Sequence, residues 1–170
     1  MADRISKLLI VDASVVRAAG ETEHPVSGAN RDFLFAVLDI CHRVGMNTEI
    51  GDEWRRHQSK VTRRWKLAMY ARKKIILLHV STNPELRLRL TQGHSPEETE
   101  AILKDAHLIE AALRANGIVA SLDENARALF RTAELNAVTW VNPFVERTRI
   151  KAWLEQGAPP VEEWKLGYNA

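Results

Sequence analysis

Residues 8–11 are an unbroken aliphatic run, Leu-Leu-Ile-Val, and the next residue is Asp12. A run this short and without alternation fits a strand buried on both faces, as in a parallel sheet covered by helices. An acid where such a strand emerges either caps the helix that follows or holds something positive. Residues 118–122, Ile-Val-Ala-Ser-Leu, show the same pattern and again end in an acid, Asp123.

The rest of the chain supplies the helices such strands require. Phe33, Val37, Ile40 and Val44 recur at helical spacing, which predicts a helix over 33–45 with Gly45 as its stop. The segment before it, AGETEHPVSGANRD, reads as a polar loop, and MNTEI as a short strand. GDEWRRHQSKVTRRWKLAMYARKK reads as one long basic helix, with Val61, Trp65, Ala68 and Met69 along one stripe. IILLHV fits either a continuation of that helix or a strand. Ser95-Pro96-Glu97-Glu98 starts a helix, with a hydroxyl cap, Pro at the first position and acids in the first turn. That helix runs to about Asn116, where Gly117 suits its end. ENARALFRTAEL is a further helix, AVTWV a further strand closed by Asn142-Pro143, and FVERTRIKAWLEQG a last helix. APPVEEWKLGYNA is an irregular tail that packs back on the domain or meets a second subunit. Alternating strands and helices point to an α/β fold with a mainly parallel central sheet. One domain over residues 1–145 is expected, with a C-terminal helix and tail over 146–170.

No apolar stretch approaches the roughly 20 residues needed to cross a bilayer. MADRISK lacks an apolar segment behind its basic start, so no signal peptide is expected. A lone cysteine, Cys41, excludes an intrachain disulfide and argues for a reducing compartment, with the cytoplasm as the expected location.

Ligands of open parallel sheets bind outside the carboxyl ends of the strands. If the strands ending at Asp12 and Asp123 are neighbours, their carboxylates face one crevice and repel each other unless a cation lies between. Mg²⁺ and Mn²⁺ prefer such hard oxygen ligands. The competing reading makes each acid an ordinary cap, Asp12 before SVVRAAG and Asp123 before NARALF. Asp105 adds a third acid. It shares a helix side with Ala101, Leu108 and Ala112, and an acid at the edge of an apolar stripe is costly without a partner. Its helix leads through Gly117 into the strand that ends at Asp123.

Net charge is only +2, but its distribution is uneven. From Trp54 to Pro84 there is no Asp or Glu, while Arg55, Arg56, Lys60, Arg63, Arg64, Lys66, Arg72, Lys73 and Lys74 fall in that span. A polyanion is the natural partner of such a surface. Lys and Arg there would contact phosphates, and Trp54 and Tyr70 offer faces for base stacking, whereas Trp65 reads better as core.

"LLIVDAS" followed far downstream by "KDAHLIEAALRANGIVASLDENARALF" resembles the PIN domain, a family of metal-dependent ribonucleases that includes VapC-type toxins. The resemblance spans roughly residues 7–142. It implies a three-layer α/β sandwich around a parallel sheet, with three or four acids binding one or two divalent cations, Mg²⁺ or Mn²⁺. By position, Asp12, Asp105 and Asp123 match the first, third and fourth acids, and Ser14 the small hydroxyl residue after the first. Glu53, in "IGDEWRRH", fits the second acid best, with Asp52 and Glu49 in competition; it also reads as first-turn compensation of the helix dipole. The implied activity is endonucleolytic hydrolysis of RNA. Asn125 and Arg127, just beyond Asp123, read as ordinary helix residues or as groups within reach of the scissile phosphate, and the acid-free segment with Arg55, Arg56, Lys60, Arg63 and Arg64 would then be the substrate side. The resemblance also implies a toxin with an antitoxin partner, and a homodimer.

A PIN-like module that binds RNA or protein without cleaving it is the alternative. A haloacid-dehalogenase-type phosphatase needs a second Asp two residues after the first, where this chain has Ser14. A receiver-like phosphoacceptor lacks its Lys after a later strand. His24, His42, His57, His79, His94 and His107 are scattered without zinc-site spacing to Cys41, and read as surface or packing residues; His107 is expected to point away from Asp105.

Overall fold

The computed structural model describes residues 5–131 and 135–168. The first residues of MADRISK, residues 132–134 of the expected ENARALFRTAEL helix and the last two residues of the tail lie outside that range. The protein is an α/β sandwich whose central sheet has five strands, all parallel. They are β1 (Leu8–Val11), β2 (Arg43–Met46), β3 (Ile75–Leu77), β4 (Ile118–Ala120) and β5 (Thr139–Val141), in the spatial order β3-β2-β1-β4-β5. The chain steps outward from β1 through β2 to β3, then returns to add β4 and β5 on the other side. The order therefore reverses between β1 and β4, and the crevice outside their carboxyl ends is the topological binding position of an open α/β sheet.

Helices cover both faces. α1 (Ala13–Ala18), α2 (Pro25–Asp39), α3 (Thr48–His57), α4 (Lys60–Ala71) and α8 (Ile150–Glu155) pack among themselves, with α2 touching α1, α4 and α8. α6 (Pro96–Leu113) packs against β1 and β4 and is flanked by α5 (Pro84–Thr91) and α7 (Glu124–Phe130). All four residues of β1 are buried, as a strand covered on both faces requires.

Several local expectations are corrected. The helix read over 33–45 begins at Pro25 and ends at Asp39, and Arg43–Met46 is β2. Gly45 stops no helix: it lies in β2, where a Cβ would come 2.7 Å from Leu78 Cδ1 and 3.0 Å from Ile10 Cδ1. MNTEI is not a strand, because Met46 closes β2 and the Asn47 side chain caps α3 by accepting from Ile50 N. The long basic helix is broken at Gln58-Ser59, where Ser59 caps α4 by accepting from Thr62 N and its own N–H donates to Val16 O. IILLHV contributes β3, and α5, started by Asn83 and Pro84, was not anticipated. α6 begins as expected, with a full capping box between Ser95 and Glu98. Gly117, at φ +73°, turns the chain from α6 into β4.

The tail packs back on the domain. Lys165 bridges to Thr139 of β5, Leu166 N–H donates to Val138 O, and Trp164 is buried edge-on against Trp153 at 5.1 Å. His42 is a packing residue, as expected of the histidines: its Nδ1 accepts from Lys7 N–H at 3.0 Å and Nε2 donates to Leu154 O at 2.7 Å. No described helix is long and apolar enough to cross a membrane.

Candidate functional site

The crevice between β1 and β4 is built from hydroxyls and carboxylates. Asp12 follows β1 directly and occupies the cap position of α1, yet makes no side-chain cap bond. Its Oδ2 instead accepts from Ser14 Oγ at 2.7 Å and from Ser121 Oγ at 2.8 Å. Each hydroxyl also accepts from a backbone N–H, Ser14 from Leu122 and Ser121 from Asp123, both at 3.0 Å. Those N–H groups commit the hydroxyl protons to Asp12, so the carboxylate is held in one orientation. Ser14 thus lies where expected. Ser121 carried no role in the sequence reading, although it precedes Asp123 by two residues just as Asp12 precedes Ser14.

Asp123 does act as a cap, accepting from Ala126 N through Oδ1 at 2.8 Å. The cap reading therefore holds for Asp123 and fails for Asp12. Asp105 projects from the middle of α6 and is half-buried. Burial pushes its carboxyl from 3.8 up to about 6, and the negative charges of Asp12 and Asp123 push the same way, against His107 and Lys104. Three acids far apart in sequence thus share one electrostatic field.

Of the candidates for a further acid, Asp52 is engaged by Arg55. Glu53 and Glu49 both face α6 at His107, with Glu53 Oε2 3.5 Å from Nε2 and Glu49 Oε2 3.7 Å from Nδ1. His107 is buried there between Glu49 and Glu53, a packing position rather than a surface one.

Among the described residues, no group of three or more His, Cys, Asp or Glu side chains is drawn close enough to enclose a metal as it stands. The donor chemistry nonetheless fits a hard divalent cation: Asp12, Asp105 and Asp123 offer carboxylate oxygens, and their mutual repulsion is the penalty such an ion would relieve.

The basic residues divide. Arg55 pairs with Asp52, just before the acid-free span, and Arg64 with Glu21, an acid distant in sequence that meets the span in space. Arg56, Lys60 and Arg63 are exposed and make no ion pair with a described residue. Tyr70 is 47% exposed. Trp54 offers no stacking face, because it is fully buried against Trp65, with ring centroids 5.6 Å apart. Its inward side of α3 is shared with Ile50, one turn earlier. Trp65 is core, donating from Nε1 to Leu34 O. Asn125 is exposed in the first turn of α7, while Arg127 is buried and paired with Glu124. Arg127 is a packing residue of that helix.

No protein-family model matches the chain, and a search of curated proteins finds no match. The site is thus defined by its own geometry: an acid-lined crevice at the switch point of a parallel sheet.

Proposed function

We propose that the protein is a Mg²⁺- or Mn²⁺-dependent endoribonuclease that hydrolyses phosphodiester bonds at the crevice between β1 and β4. The observation that carries this reading is the Asp12 carboxylate, held by the Ser14 and Ser121 hydroxyls at the crevice where an α/β sheet takes its ligand, with Asp105 and Asp123 near enough to act on one another. Asp12, Asp105 and Asp123 would hold the ion, and Glu53, in the middle of α3 rather than in the first turn its sequence suggests, would serve a second ion or orient water. A bound divalent cation supplies water activation and charge neutralisation at the phosphoryl group. The chain's own residues do the rest. Ser14 and Ser121 fix Asp12, and the exposed Arg56, Lys60 and Arg63 draw in a phosphate backbone. Tyr70 gives a base a face to stack on, and Asn125 stands exposed beside Asp123. RNA as the substrate, and a toxin restrained by an antitoxin as the setting, follow from the PIN-domain resemblance.

The test is incubation of the full chain with assorted single-stranded RNAs, with Mn²⁺ or with EDTA, beside Asp12→Asn. Cleavage that needs the metal and is abolished in the variant is expected. Full activity in Asp12→Asn refutes the reading, and RNA binding that ignores the chelator and yields no cleavage makes the protein a binding module.

A further inference from the structure

His107 lies at the seam where α6 meets α3, and its side chain is 5% exposed. Its Nδ1 sits 3.1 Å from the carbonyl oxygen of Lys104 and 3.7 Å from Glu49 Oε2. Both are acceptors, so Nδ1 carries the proton. That assignment leaves Nε2, in the neutral ring, with a lone pair. Nε2 is buried, has no hydrogen-bond partner, and faces Glu53 Oε2 at 3.5 Å. Two electron-pair donors therefore confront each other in a buried seam, and something positive must stand between them. Either a proton occupies Nε2, or a metal ion does.

The surroundings favour more positive charge than one proton brings. Glu49 and Glu53 both face the ring from α3, and Asp105, two residues before it on α6, interacts with it as a further acid. The second-ligand logic also fits: a metal-bound imidazole commonly donates its other N–H to a backbone carbonyl, which is what Lys104 O accepts here.

We propose that His107 Nε2 and the Glu53 carboxylate are the nitrogen and oxygen ligands of a second cation position at the α3–α6 seam, one that selects first-row transition ions over Mg²⁺. This rests on the proposed reading of Asp12, Asp105 and Asp123 as a neighbouring cation site. Imidazole is a ligand for borderline ions such as Co²⁺, Ni²⁺ and Zn²⁺, whereas Mg²⁺ keeps oxygen and water ligands. A site of oxygens alone would not distinguish them in this way. The chain would then hold two unlike positions, an all-oxygen one at the β1–β4 crevice and a mixed one at the seam.

Co²⁺ is the probe, with Mg²⁺ as the comparison, titrated into the full chain, His107→Leu, His107→Gln and Glu53→Gln. In ¹⁵N spectra of the unmodified protein, the His107 Nε2 signal should broaden on substoichiometric Co²⁺; a signal that persists overturns the proposal without reference to any variant. Co²⁺ affinity should fall at least about tenfold in both His107 variants and in Glu53→Gln, with Mg²⁺ affinity changed less than about twofold. Unchanged Co²⁺ affinity in folded His107→Leu and His107→Gln, checked by circular dichroism, overturns it and leaves His107 an imidazolium paired with Glu49 and Glu53. Asp12→Asn separates the two readings. Loss of RNA cleavage there with normal Co²⁺ binding in His107→Leu sinks the seam site alone. Full cleavage in Asp12→Asn with the His107 effect intact sinks the nuclease reading alone.

Discussion

The indole nitrogen of Trp54 donates to the carbonyl oxygen of Val11 at 2.9 Å, joining the residue after Glu53 to the residue before Asp12. Both partners are buried, so the bond fixes α3 over the end of β1 and sets Glu53 relative to the crevice. Trp54→Phe keeps most of the apolar volume and removes the donor, leaving a buried carbonyl unsatisfied. A loss of about 1–3 kcal/mol is expected in urea denaturation. Metal-dependent cleavage should fall further than the lost stability explains at temperatures where the variant is fully folded.

Asp105 makes stability depend on pH in an unusual direction for a carboxylate. Its folded value, about 6, lies above the ordinary 3.8. Between those values the folded chain holds a proton that the unfolded chain has released, so stability falls as pH rises through that window and is level above it. The drop is at most roughly 3 kcal/mol. Asp12→Asn removes one of the two negative neighbours and should bring the Asp105 carboxyl part of the way down, burial being the largest cause. Carbon-detected NMR titration reads both, and added Mg²⁺ or Mn²⁺ should lower the Asp105 value further.

His42 acts in the opposite sense. Burial pushes its pKa below 6.5, opposed by its bond to Leu154, with Lys74 and Lys7 adding to the fall. The unfolded chain then takes up the proton first, so this contribution is present above 6.5 and is lost as pH falls below it. His42→Gln should remove that acid-side slope in thermal melts, at a cost of about 1–2 kcal/mol at neutral pH for the bonds to Lys7 and Leu154.

Gly117 is constrained twice. Its φ of +73° disfavours any side chain, and a Cβ would run into the carbonyl oxygen of Ala137. Gly117→Ala is expected to cost on the order of 2–4 kcal/mol by chemical denaturation. Because β4 starts one residue later, RNA cleavage should also drop through displacement of Asp123.

Where the sequence was most legible, one signal dominated. The β1, β4 and β5 strands are buried on both faces and read as short apolar runs, and α6 carries an explicit capping box. Asp12, Asp105 and Asp123 followed from those elements, because a strand end and a helix face fix where a carboxylate goes. Legibility failed where two periods fit the same residues. Ile40 and Val44 sit at helical spacing, yet Ile40 leaves α2 in an extended conformation and Val44 is buried in β2. The caps Asn47 and Ser59 were visible but were absorbed into longer elements, and with α3 begun too late the Ile50–Trp54 stripe was missed. His107 and Ser121 could not be placed from local pattern, since their partners Glu53 and Asp12 lie on other elements.

The reversal of strand order between β1 and β4 also sets a clock. Asp12 and its hydrogen-bond donor Ser121 are 109 residues apart, and no local segment holds the whole crevice. At ordinary synthesis rates of about 5–20 residues per second, roughly 5–20 s separate their appearance on the growing chain. Throughout that interval the first acid is exposed on a nascent polypeptide beside messenger RNA, without the strand that completes its surroundings. On the proposed activity, the enzyme cannot cut the message from which it is being made until β4 has emerged and docked against β1.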